Sequence, residues 1–396
     1  MLAPAGASPA GAPPAGAALA AAPLAAERPI RVAFDAHTVG RRLTGNERYA
    51  IELANALAAR ADMEVLAYVD RGVTWPAGSE HVPGIRELRT RIPQLRIPFE
   101  LPWRAGRDGA QVLQVSYVGP PVGGPPLVTT VHDVSFEDQP QLFRLPTRLR
   151  LQWLVRLSVR RSAAVTAVSE FTRQRLIELY HLPPAKVHVV HDGVASHWRP
   201  TSTMEAAAAL AGQHLPPRFV LFVGTSHERK NLPRLIAAVR ALRDDGRPDV
   251  GLVLAGPHGA TNDAVDAAIA ANQATDWVHR LGYVTDDVLR ALYGTAAAVA
   301  YVSLYEGFGL PVVEALASGA IVVASNTTGV AEAAGDACIL VDPTDVDAIT
   351  AALRSALDDV RLRDELRGRA PDHLARFTWT RAAEAMARVY RTVART

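Results

Sequence analysis

The chain has 396 residues, 49% hydrophobic and 21% charged, long enough for two domains and too apolar for a disordered or fibrous protein. A net charge of only +2 excludes a dedicated nucleic-acid binder, because such domains are strongly basic. The charge is uneven: residues 1–200 hold 23 basic and 17 acidic side chains, and residues 201–396 hold 19 and 23, so the first half is the one suited to an anionic partner. Lys186 and Lys230 stand alone beside 40 arginines. A lysine that escapes an arginine-biased composition marks a position of interest; Lys186 has no role that the sequence supplies. One cysteine, Cys338, allows no internal disulfide, and no run reaches the 18 apolar residues of a membrane span. The expectation is a cytoplasmic protein.

Residues 1–28 are rich in Ala and Pro, with prolines at 4, 9, 13, 14 and 23 and no Lys or Arg before Arg28. That composition predicts a disordered, low-complexity tail rather than a signal peptide. Residues 30–36 (IRVAFDA) then read as a strand, and 47–60 show helical spacing of apolar residues. Further strand-like runs follow at 111–115, 126–131, 163–168 and 187–190. A second series begins at 219–223 and continues at 251–255, 297–302, 321–324 and 338–341, with helical patterns such as 231–244 and 346–358 between the runs. Strands alternating with helices predict parallel sheets covered on both faces. Prolines at 200, 216 and 217 mark 198–217 as the linker. The architecture expected is α/β: two doubly wound Rossmann-like domains, 29–198 and 199–375, facing a cleft that binds ligand at the strand ends.

The segment 143–161 (FRLPTRLRLQWLVRLSVRR) places Arg148, Gln152, Arg156 and Arg160 four residues apart, a basic stripe. It suits an anionic lipid surface or a lipid-linked phosphate acceptor, and equally a solvated helix face; Leu149, Trp153, Leu154 and Leu157 fall on other faces, within reach of an apolar layer.

The densest chemistry is in 303–319, SLYEGFGLPVVEALASG. Gly307 and Gly309 allow close backbone approach, Pro311 suits the first turn of a helix, and the helix amides beyond it favour phosphate or a sugar hydroxyl. Glu306 and Glu314 flank this turn on one element, which suits gripping an extended ligand at two places better than hydrolysis between facing carboxylates. In 224–231, GTSHERKN, Arg229 and Lys230 complement a diphosphate, although an Arg-Lys pair also occurs on solvated faces; no Walker motif is present. His132 ends a strand in VHDVSFE, where a structural role fits as well as a catalytic one. The loop at Thr44, Gly45, Asn46 and Glu47 offers backbone contact or a plain βα turn. There is no Cys- or His-based metal spacing, no G-x-S-x-G, and no G-x-G-x-x-G after the first strand.

Taken in order, GTSHERKN, Gly282-Tyr283-Val284, EGFGLPVVE and Phe377-Thr378-Trp379 before a final helix resemble the retaining family-4 glycosyltransferases of the GT-B fold. The resemblance runs from about residue 30 to 390. The first-domain pieces VHD at 131–133, Val168-Ser169-Glu170-Phe171-Thr172 and Val190-His191-Asp192-Gly193-Val194 are similar to the branch of bacterial polysaccharide and O-antigen mannosyltransferases. The resemblance implies a nucleotide-sugar, with GDP-mannose foremost, held by the second domain. Arg229 and Lys230 would meet the diphosphate and Glu314 the ribose, with Gly224 and Thr225 beside the donor and the backbone at Tyr283 and Val284 on the base. Glu306 and the amides of Phe308, Gly309 and Leu310 would hold the transferred sugar, His132 would touch it from the first domain, and Gly45 and Asn46 would lie by the diphosphate or acceptor. It further implies no metal and no cofactor beyond the donor, a glycan or lipid-linked saccharide acceptor, and a role in cell-surface polysaccharide synthesis such as lipopolysaccharide O-antigen. Arg148, Arg156 and Arg160 would supply peripheral contact with the inner face of the cytoplasmic membrane, and the last helix, within 376–396, would cross back onto the first domain.

Three positions depart from the family pattern: Asp192-Gly193 where Asn-Gly is usual, Ser-His-Glu before Arg229 where Glu-Pro is usual, and Gly45-Asn46-Glu47-Arg48-Tyr49 in place of G-x-G-R-Y. Other readings of the same fold are an NDP-sugar epimerase, a phosphorylase anchoring pyridoxal phosphate on one of the two lysines, and a non-catalytic sugar-binding protein.

Overall fold

The computed structural model describes residues 28–41, 44–76, 81–90, 92–257 and 262–395; the Ala/Pro-rich tail falls outside the described residues but for Arg28. The first sheet holds β1 (Ile30–Asp35), β2 (Met63–Asp70), β3 (Gly84–Leu88), β4 (Val112–Ser116), β5 (Leu127–Val131), β6 (Ala164–Ala167) and β7 (Val187–Val189). The second holds β8 (Arg218–Val223), β9 (Val250–Ala255), β10 (Val278–Gly282), β11 (Ala298–Tyr301), β12 (Val322–Ser325) and β13 (Ile339–Val341). Their orders are β3-β2-β1-β4-β5-β6-β7 and β10-β9-β8-β11-β12-β13, with all pairs parallel. Each is a doubly wound sheet whose order reverses beside its first strand, the place where such sheets bind ligands. The two-domain α/β architecture expected from the alternating pattern is the one observed.

The central strands β1, β5, β9 and β12 are apolar and largely buried, as parallel strands covered on both faces must be. Three strands, β2, β3 and β10, are additional to the sequence reading. β3 (GIREL) and β10 (VHRLG) lie at sheet edges, where only Leu88 of β3 is buried and all of β10 is half-exposed. Neither therefore needs an apolar run.

Further expectations change. The proline-rich stretch 198–217 is not a bare linker: it contains a helix, Thr203–Ala209, opened by a reciprocal Ser202–Glu205 capping box, and Trp198 is buried. The Thr44–Glu47 segment is not a loop but the first turn of helix Thr44–Ala58. The stripe of helix Leu145–Arg161 also divides. Arg156 and Arg160 are exposed, Arg148 is half-buried, and Gln152 donates to Glu137 at 2.7 Å. Leu149 and Trp153, expected from their spacing to reach an apolar layer, are instead 52% and 64% exposed.

The final helix, Trp379–Ala394, buries Met386, Tyr390 and Val393 and packs against helix Thr44–Ala58. Tyr390 donates to Gln114 of β4 at 3.2 Å, and Arg391 pairs with Asp62. The chain thus ends on the first domain. One apolar cluster runs from β1 and β2 through Trp198 to β8, β11 and this helix, so the two sheets share a continuous core. No helix among the described residues is long and apolar enough to cross a membrane.

Candidate active site

The turn between β11 and helix Leu310–Ala317 forms because Gly309 takes a positive φ (137°) at the helix N-cap and Pro311 fits the first turn. It holds Glu306 under the end of β8. There the chain leaves β8 through Gly224 and Thr225, forms a short 3-10 turn over Glu228–Lys230 and enters helix Leu232–Asp244. Arg229 and Lys230 sit on that turn, directly before the helix. Gly224 is packed beside the Lys230 ammonium.

The three charged groups meet. Lys230 Nζ lies 2.6 Å from one Glu306 oxygen and donates to Tyr301 Oη at 2.8 Å, while Arg229 pairs with the other Glu306 oxygen and donates to the Tyr305 carbonyl at 3.2 Å. Burial opposes ionisation of Glu306, but Lys230 and Arg229 outweigh it and hold the carboxyl at about 2. Burial pushes the Lys230 ammonium down, partly offset by Glu306. The cluster therefore carries two cations and one carboxylate, a net positive charge in a dehydrated pocket.

Glu314 is buried one helical turn further on and does not join that cluster. Burial raises its carboxyl, and Arg48 of the first domain offsets part of the rise. Arg48 Nη1 is 2.6 Å from Glu314, Nη2 is 2.7 Å from Asp286, and the guanidinium lies 4.9 Å above the Trp198 ring. Tyr283, at the end of β10, is 64% exposed, and Val284 packs at the edge of the core. The Phe308 ring is buried against Phe377 and His191, with centroids 5.3 and 6.0 Å away, which leaves its amide as the group able to face a ligand; Leu310 is half-buried. Gly45 and Asn46 stand in the first turn of helix Thr44–Ala58, with the Asn46 carbonyl near Thr38 Oγ1.

His132 follows β5 on the opposite wall. Its ring meets Tyr49 edge-on at 4.5 Å, and its Nε2 is shielded with no hydrogen-bond partner. Burial lowers its pKa to about 4, so at neutral pH it is an uncharged imidazole with one unused polar atom. Such an atom calls for a partner, and a sugar hydroxyl is of the right kind.

Gly307 does something the sequence did not suggest. A Cβ on it would lie 1.6 Å from the His132 carbonyl, so its missing side chain admits the other domain rather than a ligand. Its carbonyl accepts from Ser169 Oγ at 2.5 Å and Thr172 Oγ1 at 3.3 Å. Around this point His191 pairs with Glu332, Glu170 N donates to Glu332 at 2.8 Å, and Tyr305 donates to Asp138 at 2.9 Å. Gly193 abuts Thr378 and Trp379, where a Cβ would lie 2.2 Å from the Trp379 nitrogen. The first-domain motifs thus form the joint between the domains. Arg48, Glu332, Asp138 and Asp286 belong to it and were missed, because partners separated by well over a hundred residues leave no local spacing.

Asp192 is buried, and burial alone raises its carboxyl to about 8. A protonated Asp is neutral and close in shape to Asn, which reconciles its place in the Asn-Gly motif. Lys186 donates to the Arg160 carbonyl at 2.7 Å, capping the C-terminus of helix Leu145–Arg161.

Comparison with known proteins gives the family. Residues 211–373 match the family model of glycosyl transferases group 1, and residues 43–198 match that of Glycosyltransferase Family 4. The chain is 30% identical over 369 residues to O-antigen chain mannosyltransferase B of Escherichia coli, covering 88% of this chain and 96% of that one. Among solved structures, sucrose-phosphate synthase from Thermosynechococcus elongatus superposes with a TM-score of 0.72 at 22% identity, covering 92% and 98% of the two chains. Anabaena HepE in complex with UDP and glucose gives 0.70 at 18%, covering 91% and 99%. The fold is GT-B, and the chain belongs to the glycosyltransferase family that the two matching models describe.

Proposed function

We propose that the protein is a retaining, metal-independent hexosyltransferase that moves mannose from GDP-mannose to a glycan or lipid-linked saccharide in the synthesis of a cell-surface polysaccharide. The observation that carries this reading is the Arg229–Lys230–Glu306 cluster at the N-terminus of helix Leu310–Ala317. A diphosphate entering it would take the two cations, and Glu306 would turn to a hydroxyl of the transferred sugar. Cations and helix amides supply the charge that a metal supplies elsewhere. Similarity to a mannosyltransferase over nearly the whole chain supports mannose, and with it GDP-mannose as the donor.

In the reaction the acceptor oxygen bonds to the anomeric carbon on the face from which the diphosphate leaves. The bond from that carbon to the diphosphate oxygen breaks, and the departing diphosphate takes the acceptor proton. Arg229 and Lys230 hold the charge that develops on the leaving group. Glu314 would exchange Arg48 for the ribose hydroxyls, and the neutral His132 would hydrogen-bond the sugar rather than move a proton. A phosphorylase reading is weaker, since Lys186 caps a helix and Lys230 is buried against Glu306.

A thermal-shift screen against UDP-, GDP-, ADP- and TDP-sugars tests the donor, because a ligand bound to the folded state raises the midpoint. GDP-mannose should give the largest shift with EDTA present. A larger shift with another donor would overturn the choice of nucleotide or sugar.

A further inference from the structure

Strand β11 (Ala298–Tyr301) runs AVAY and is wholly buried. Its side chains alternate between two cores: Ala298 and Ala300 join one apolar cluster, Val299 and Tyr301 the other. Such a strand needs only apolar side chains, and a phenylalanine would fill the space of the Tyr301 ring as well. Tyr301 is 2% exposed, so its hydroxyl has left water and must be matched inside the protein. The partner is Lys230, whose Nζ lies 2.8 Å from the Tyr301 oxygen and 4.8 Å from the ring centre. The contact is a hydrogen bond to the hydroxyl rather than a cation over the ring face.

An ammonium has three protons to give. One goes to Glu306 at 2.6 Å and one to Tyr301; among the described residues nothing takes the third. Burial, reinforced by the Glu306 carboxylate, pushes the Tyr301 phenol well above its ordinary value, so the hydroxyl stays neutral and accepts without bringing a charge. The turn that carries Lys230 is also sewn to the end of β11. Leu304 N donates to the Arg229 carbonyl at 2.7 Å. Asn231, at a positive φ of 62°, donates through Nδ2 to the Val302 and Pro343 carbonyls at 3.0 and 2.6 Å. On its other side the Tyr301 ring lies under the N-cap of helix Leu310–Ala317, its edge 3.8 Å from the place that a Cβ on Gly309 would take. One rigid side chain therefore spans from the ammonium to the N-terminus of that helix.

We propose that Tyr301 is a positioning residue: its hydroxyl aims the Lys230 ammonium at the donor diphosphate and holds it there when Glu306 turns to the transferred sugar. Without that hydroxyl the flexible four-carbon stem of Lys230 would follow the carboxylate, and a cation displaced by about an ångström stabilises the leaving group far less. With it, the ammonium keeps one fixed protein partner while Glu306 changes to another. Tyr301 touches no substrate and moves no proton. The part played at the diphosphate rests on the transferase reading; the hold on Lys230 does not.

Tyr301→Phe keeps the ring and removes the oxygen. The charged groups facing Lys230, which are Glu306, Arg229 and Asp133 of the first domain, all stay in place. Because the chain has two lysines, carbon-13 NMR of the full chain labelled at lysine resolves Lys230 from Lys186, which stays bonded to the Arg160 carbonyl and serves as the internal reference. The variant should show about tenfold lower proton affinity at Lys230, for loss of one hydrogen bond to the charged form, with Lys186 unmoved. With GDP-mannose and a short saccharide acceptor, kcat should fall about tenfold at neutral pH and KM for the donor should change less. Lys230 must carry its proton to hold the leaving group, so the rate falls as pH rises through its pKa, and the variant should reach that fall at lower pH than wild type. An unchanged Lys230 titration would overturn the proposal. So would a loss of rate equal at every pH, which marks a packing defect rather than a misplaced cation. A wild type that transfers nothing would defeat the transferase reading by itself, and the titration would still decide the hold on Lys230.

Discussion

The donor cluster and the joint between the domains are built from the same kinds of group arranged in opposite ways. At the cluster Arg229, Lys230 and Glu306 come from one domain and satisfy one another. At the joint every pair takes one member from each domain: Arg48 with Glu314, His191 with Glu332, Ser169 with the Gly307 carbonyl. The cluster lies within one domain, and the joint ties the two domains together. Short motifs of similar prominence in the sequence therefore do different work, some gripping a ligand and some closing the cleft over it, and Gly307 stands where the two meet.

That division can be broken from either side. Lys230→Ala should lower transfer by about a thousandfold, as for loss of a group that stabilises leaving-group charge, and Glu306→Ala should lower it strongly through loss of the contact to the transferred sugar; wild-type rates in both would move the chemistry elsewhere. Gly307→Ala should lower transfer by about a hundredfold, because its Cβ would meet the His132 carbonyl and hold the cleft open. Its calorimetric affinity for nucleotide should change little, and a parallel loss of affinity would show that cluster and joint are not separable. Arg48→Ala leaves Glu314 buried without its cation and should cost about 2–4 kcal/mol in urea unfolding, with Arg48→Lys recovering part.

The remaining tests concern pH. Asp192 keeps its proton to about pH 8 when folded, whereas an unfolded Asp loses it near pH 4. Between those values folding takes up a proton, so this group makes stability fall as pH rises. Asp192→Asn removes that slope, and its gain in Tm should be larger at pH 8 than at pH 5; an equal gain at both would mean that Asp192 is ionised in the folded protein. His132, lowered to about 4 by burial, should leave the rate free of a His132-dependent limb near pH 6.5. A limb there that disappears in His132→Asn would make it a proton carrier.

Much of this was legible in the sequence, for reasons that mark its limits. Buried parallel strands must be apolar runs, so β1, β5, β9 and β12 announced themselves, and a glycine-framed turn before Pro311 gave the helix that carries Glu314. β2 (MEVLAYVD) has such a run too and could have been read. Edge strands β3 and β10 need none and could not. Arg229 and Lys230 read as a pair and Glu306 as a separate group, but that the three meet depends on β8 and β11 being neighbours. Arg48 and Glu314 are 266 residues apart, beyond any local pattern. Trp153 misled because an apolar residue at helical spacing is usually turned inward, and this helix buries a different face.

The most direct test of the central claim is a proton NMR spectrum of the product formed from GDP-mannose and a lipid-linked or short saccharide acceptor with EDTA present. The account predicts an α-mannoside, the anomeric configuration of the donor, formed by wild type and nearly absent with Lys230→Ala. A β-mannoside, or turnover that appears only when a divalent metal is restored, would contradict it.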